Sequence, residues 1–243
     1  MRRLTRPPLP ARTSAFLARC QERADNAQEQ GTLDIEREWR NARQRKALTG
    51  VLDTLRTMSG PHWRCMYCTD SHGCDIEHFR PKKHYPTHAF HWLNLLLCCT
   101  TCNRKKGDQF PTLNGAPLLI DPTMDDPWEH LDFEPESGLI KARYDAQSDQ
   151  RSPKGLETVR LLALDRREVP VGHSKTFRRL KRTVERALDA GGSAPALIAE
   201  LLEEDDHGLL PWCFGEIGRT VEPFSDLRLQ QPDTWMACEA AFR

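Results

Sequence analysis

Six cysteines and five histidines lie within the 43 residues from Cys65 to Gly107 of a 243-residue chain. Cys65-x-x-Cys68 and Cys99-x-x-Cys102 are two knuckles with 30 residues between them. Each lets two thiolates reach one ion from a tight turn. Two together supply a sulfur tetrahedron, which suits Zn2+ and leaves no open position for a substrate. Such a site braces a fold and does no chemistry itself. Cys98 could replace Cys99 on spacing. The run Trp92–Leu97 reads as a strand entering the second turn, with Cys98 as its last packed residue, and this favours Cys99. His62 and His72 flank the first knuckle and could stand in for a thiolate.

Between the knuckles stands Asp75-Ile76-Glu77-His78-Phe79-Arg80-Pro81-Lys82. A carboxylate beside an imidazole can hold a cation and move a proton. Adjacent side chains on a regular strand point to opposite faces. Glu77 and His78 can therefore share one site only where the strand ends or bulges, and Pro81 just beyond permits that. His84, His88 and His91 fall in the following loop and read as surface residues. Asn103-Arg104-Lys105-Lys106-Gly107 reads as a short helix started by the second knuckle.

These residues need elements to place them. Prolines at 7, 8 and 10 make the first dozen residues an extended arm. Ser14 to Gln30 is predicted helical, capped by Thr13 or Ser14. Leu33, Ile35, Trp39, Ala42, Leu48, Val51, Leu52 and Leu55 recur at helical spacing, predicting one long helix over Asp34–Met58. Trp39, Trp63 and Trp92 are expected in the core. After the Cys/His-rich segment, the Glu-Ser-Gly turn between Leu131/Phe133 and Leu139/Ile140 predicts a hairpin. Asp121, Asp125 and Asp126, in a proline-broken setting, read as turn residues. Helices are predicted over Gly155–Leu164, Ser174–Ala190 and Ser193–Glu204, and the tail from Asp206 has no assignable pattern. The expected class is α+β, mainly helical, with a small β element at its centre. The expected divisions are 1–61, 62–115 and 116–243.

Composition bounds the function. The longest apolar run, Leu93–Cys99, is too short to cross a bilayer. The basic, proline-rich start lacks the apolar stretch of a secretory signal, so a cytoplasmic protein without membrane association is expected. There, paired cysteines point to metal rather than disulfides. Cys20, Cys74, Cys98, Cys213 and Cys238 are expected as small buried hydrophobes. Lys and Arg total 35 and Asp and Glu 35, so net charge does not advertise a nucleic-acid binder. His62–Pro111, however, carries seven basic residues against four acidic ones, and local patches can hold phosphates. A second basic run, Ser174–Arg186, reads equally well as a solvated helix face.

The order acid-His, Asn-Leu on a second strand, then Cys-x-x-Cys-Asn and a lysine resembles the HNH nuclease motif, the ββα-metal fold. DIEHFRPK, Tyr85-Pro86, Trp92-x-Asn94-Leu95, Cys99-x-x-Cys102-Asn103-x-x-Lys106-Gly107 and Phe110-Pro111 are similar to one HNH subfamily, the PtuB-like nucleases of Septu antiphage systems, also attached to retrons. The opening MRRLTRPPLP, IDPTMDDPWEHLDFEPESG and GLETVRLLALDRREV extend the likeness to about Arg186.

The resemblance implies an endonuclease that hydrolyses DNA with His78 as general base. Glu77 and Asn103 would hold a catalytic Mg2+ or Mn2+, and Asn94 would orient the His78 loop through backbone hydrogen bonds. Cys65, Cys68, Cys99 and Cys102 would hold structural Zn2+. Arg80, Lys82, Lys105 and Lys106 are candidate phosphate contacts. An SMC-like, PtuA-like ATPase is the implied partner. Two departures stand out. Glu77 replaces the usual Asp, and Asn103 replaces the usual final His, a poorer ligand for soft metals. A non-catalytic zinc adaptor is the alternative, and an RNA target stays open.

Overall fold

The computed structural model describes residues 1–242. Its chain forms two compact units, Arg3–Asp125 and Met1–Arg2 with Asp126–Arg243. Both are mainly helical and carry only two-stranded sheets among the described residues. No helix among the described residues is long and apolar enough to cross a membrane.

In the first unit, helix α1 spans Ala11–Glu29 and begins directly after Pro10. The expected caps, Thr13 and Ser14, therefore lie inside it. The stretch expected as one helix is two, α2 (Ile35–Arg43) and α3 (Lys46–Met58), with Arg45 extended between them. The apolar rhythm explains the break. Trp39 and Ala42 share one face, but the next buried position is Leu48, six residues on, where a continuous helix needs three or four. Asp34 caps α2 by accepting from Arg37 N. Gly50 sits inside α3, where glycine costs about 1 kcal/mol against alanine. A methyl there would come within 2.5 Å of Thr13 Oγ1, so α1 and α3 can meet at this point only without one.

Strand β1 (Asp75–His78) pairs antiparallel with β2 (Leu95–Cys98), with His78 opposite Leu95 and Glu77 opposite Leu96. Trp92–Asn94, expected as strand, is a 3-10 turn that leads into β2. All four β2 residues are buried, because α3 packs on this strand. Each buried leucine there contributes roughly 1.5–3 kcal/mol. Helix α4 (Thr100–Lys106) follows at once and packs on β1. A short ribbon, β3 (Thr112–Leu113) with β4 (Ala116–Pro117), comes next. Asp121 closes the turn after it, accepting from Thr123 N while its own N–H donates to Asp125. The arm is extended, as expected, but held down. Leu4 N donates to Pro122 O, Arg6 donates to the carbonyls of Trp92 and Leu95, and the Trp92 indole donates to Pro7 O.

Of the core expectations, Trp92 is only half-buried, and those for Trp63 and Cys74 fail. Trp63 is 48% exposed, with Arg56 stacked on its ring. Cys74, just before β1, is exposed and contacts Thr100.

The second unit is built on the expected hairpin, β5 (Leu131–Glu134) with β6 (Leu139–Ala142). Gly138 turns it at φ +77°, a value that favours glycine. Strands β7 (Tyr144–Asp145) and β8 (Gln150–Arg151) form a second ribbon. Helix α5 (Pro153–Leu162) packs on β6. The helix expected from Ser174 starts at Glu168, as α6 (Glu168–Ala190), and α7 (Ala194–Glu204) packs against it. Two of the six basic residues in the run on α6 are spent on α7 and the turn beyond. Arg179 pairs with Glu204 and Asp206, and Arg186 with Glu200. The tail is helical: α8 (Leu210–Cys213), α9 (Phe224–Gln230) and α10 (Pro232–Phe242). Trp212, Phe224 and Trp235 from these helices, with Phe214 just after α8, join Phe133 and Phe177 in one core.

Candidate active site and metal centre

The sulfurs of Cys65, Cys68, Cys99 and Cys102 all lie within 4.8 Å of one another, and all four residues are buried. Cys68 Sγ is 3.9 Å from Cys99 Sγ. A zinc tetrahedron with bonds of about 2.3 Å has edges of about 3.8 Å, so the quartet fits a metal such as zinc. Cys99 also caps α4, its sulfur accepting from Cys102 N. Close thiol neighbours, Cys102 foremost, pull Cys68 down to about 6 and Cys99 far below its usual range, whereas burial pushes Cys65 up. A dication favours the thiolate at every position. Cys98 donates its thiol to Cys99 O and stays outside the quartet. His62 and His72 stay outside it too, with the His72 ring bonded to His62 O.

His78, the last residue of β1, is 6% exposed. Its Nε2 lies 2.9 Å from Ala89 O. A carbonyl can only accept, so Nε2 carries the hydrogen and Nδ1 keeps the lone pair. The Trp39 ring stands edge-on to the imidazole, with centroids 4.3 Å apart. Burial first, then repulsion from Lys82, lowers the His78 pKa to about 3. The neutral ring is therefore favoured, with Nδ1 as its lone-pair side. It lines a pocket of about 220 Å³ with Ile76, Glu77, Lys82, Asn103 and the α2 residues Glu36, Trp39, Arg40 and Arg43. Glu77 and His78 thus reach one pocket, as the strand's end permits.

Lys106 corrects the sequence reading. Expected at a phosphate, it is fully buried, with Nζ 2.6 Å from Glu77 Oε1 and 2.8 Å from His78 O. An ammonium so enclosed has no solvent face to offer DNA. Glu77 is buried beside it, and desolvation raises its pKa against the pull of Lys106. Asn103 donates through Nδ2 to Asp75 Oδ2 at 3.3 Å, a partner absent from the sequence reading. Glu77 Oε2 and Asn103 Oδ1 are the remaining oxygens that could hold a hard divalent cation.

Asn94 is buried and bonds only to backbone. It accepts from Arg80 N at 2.7 Å and donates to Arg80 O and His88 O at 3.0 and 2.9 Å. The start of the loop and the residue before Ala89 are thereby tied to Asn94. Arg80 lies over the rings of Tyr85 and Phe110, and Lys82 pairs with Glu36 at 3.1 Å. Lys105 is exposed. His88 and His91 stack on each other and do not reach the pocket. Arg40 and Arg43 were missed. Their signal was the i, i+3 arginine spacing on the helix that carries Trp39.

No family model matches the chain, and no solved structure matches it. Two curated relatives do. Septu protein PtuB of Bacillus thuringiensis is 37% identical over 73 residues, 28% of this chain and 27% of that protein. Septu protein PtuB of Bacillus mycoides (strain KBAB4) is 32% identical over 174 residues, so this chain is similar over 59% of its own length to a PtuB protein of which it spans 56%.

Proposed function

We propose that the chain is an HNH endonuclease, the nuclease component of a Septu-like antiphage system that works with an SMC-like, PtuA-like ATPase. One observation carries the reading. His78 is a neutral imidazole whose Nε2–H is fixed on Ala89 O, leaving Nδ1 as a base in a pocket shared with Glu77 and Asn103. The similarity to PtuB proteins supports the defence setting. On this reading, β1, β2 and α4 are the ββα-metal core, braced by Zn2+ on the four cysteines.

His78 Nδ1 takes the proton of the water that attacks the scissile phosphate. Glu77 and Asn103 would hold Mg2+ or Mn2+, which when bound offsets the charge developing on the phosphate and the leaving oxygen. Arg40, Arg43 and Lys82 give the pocket a cationic lining for the DNA backbone, and Lys105 adds an exposed charge beyond it.

The adaptor reading rests on a different observation: Lys106 already neutralises Glu77. Plasmid cleavage separates the two. Wild type and His78→Ala are each assayed with Mg2+ or Mn2+, with and without the co-encoded ATPase. The wild type should nick or linearise DNA. His78→Ala should lose about 100- to 10,000-fold and keep its zinc. No cleavage in any arm would overturn the nuclease in favour of the adaptor.

A further inference from the structure

We propose that Gln21, on the N-terminal helix, is a positioning residue that fixes the tautomer and orientation of His78; this rests on the reading of His78 as the base. The Ala89 carbonyl that accepts from His78 Nε2 and the Phe90 N–H belong to one peptide unit. That N–H donates to Gln21 Oε1 at 2.9 Å. In a planar trans peptide the two groups point in opposite directions, so holding one aims the other. Gln21 holds the same loop again further back, donating through Nε2 to Pro86 O at 3.1 Å. Its amide is oriented in turn by Asp25 Oδ1 at 2.8 Å, one helical turn along α1.

Gln21 is 6% exposed, and Phe90 is buried. No water takes over the peptide N–H readily if the glutamine goes, and a buried unpaired donor drives the peptide to rotate. Rotation carries the Ala89 oxygen away from Nε2. The imidazole then loses the acceptor that keeps its hydrogen on Nε2, and Nδ1 no longer keeps the lone pair in every molecule. A side chain that both donates and accepts is required, and glutamine supplies both from one end. Asn94 ties the loop at His88 and Arg80 but does not touch the Ala89–Phe90 peptide. That peptide is held from α1.

The test uses the full chain labelled with 15N-histidine, in wild type, Gln21→Met and Gln21→Glu. The Met variant keeps length and volume without the hydrogen bonds. The Glu variant keeps an acceptor for Phe90 N. In the wild type His78 should give the nitrogen shifts of a single Nε2–H tautomer. Gln21→Met should give mixed tautomers and cleavage slowed by about 10- to 100-fold in kcat with KM little changed. Gln21→Glu should recover part of both. Thermal melts identify a variant that merely fails to fold, in which case Gln21→Glu alone decides through its shifts. A single unshifted tautomer and an unchanged kcat in the folded Met variant would overturn the proposal. If the wild type does not cleave DNA at all, the nuclease reading fails, and the tautomer comparison still decides what Gln21 does.

Discussion

The Lys106 ammonium lies 2.6 Å from Glu77 Oε1 and 2.8 Å from the carbonyl oxygen of His78, fully buried between α4 and β1. One charge thus ties the helix after the second knuckle to the two residues that carry the proposed chemistry. Removing one member of a buried pair strands the other, which typically costs about 3–5 kcal/mol. Lys106→Met should lower the unfolding free energy measured by urea denaturation by that amount. The double variant Lys106→Met with Glu77→Gln should recover much of it. A Lys106→Met loss below about 1 kcal/mol would place the pair with surface ion pairs and contradict its burial.

Metal analysis should find one zinc per chain. Cys68→Ser should remove it and lower the melting temperature sharply, because closed cysteine sites contribute directly to folding. Cys98→Ser should keep the metal, since that sulfur bonds Cys99 O outside the quartet. Equal zinc loss in both variants would mean that Cys98 is a ligand.

Asn94→Ala removes three bonds to part-buried backbone at Arg80 and His88. It should destabilise the chain by about 1–3 kcal/mol and slow hydrogen exchange should be lost at Arg80 N. Protection that persists at that amide would show that the loop holds itself without Asn94.

His173 sets a pH dependence in the second unit. Burial, with the chain's α-amino group and His207 adding repulsion, holds its pKa well below the usual 6.5. The unfolded chain then binds a proton near pH 6.5 that the folded chain refuses. The contribution is fully present above 6.5 and falls as pH drops, by about 1.4 kcal/mol per unit. Denaturation midpoints from pH 7.5 to 5 should show this fall, and His173→Leu should flatten it. An unchanged slope in the variant would show that His173 titrates alike in the folded and unfolded chain and does not set the fall.

The knuckles and the hairpin were legible because they depend on spacing and on short-range turns. Cys65, Cys68, Cys99 and Cys102 need only two tight turns to meet, and Gly138 marks its own corner. The break between α2 and α3 was also in the sequence, in the six-residue step from Ala42 to Leu48, but it appears only when faces rather than positions are counted. Lys106 was not legible. Two adjacent lysines on a short helix look alike, and only the packing of α4 on β1 turns Lys106 inward while Lys105 stays in water. Gln21 and Ala89 lie 68 residues apart in the chain, and a backbone carbonyl carries no sequence signal at all.

Helix α4 has seven residues, with Cys99 of the buried quartet capping its first turn and Lys106 closing its last. It is too short to stand alone in water, so the sulfurs at one end set where the ammonium sits at the other. Oxidation of the knuckles to disulfides, with loss of their metal, would therefore reach Glu77 and His78 without touching either. Purified protein left without reductant should lose its pocket geometry before it loses its helical signal, and adding thiol and zinc together should restore it.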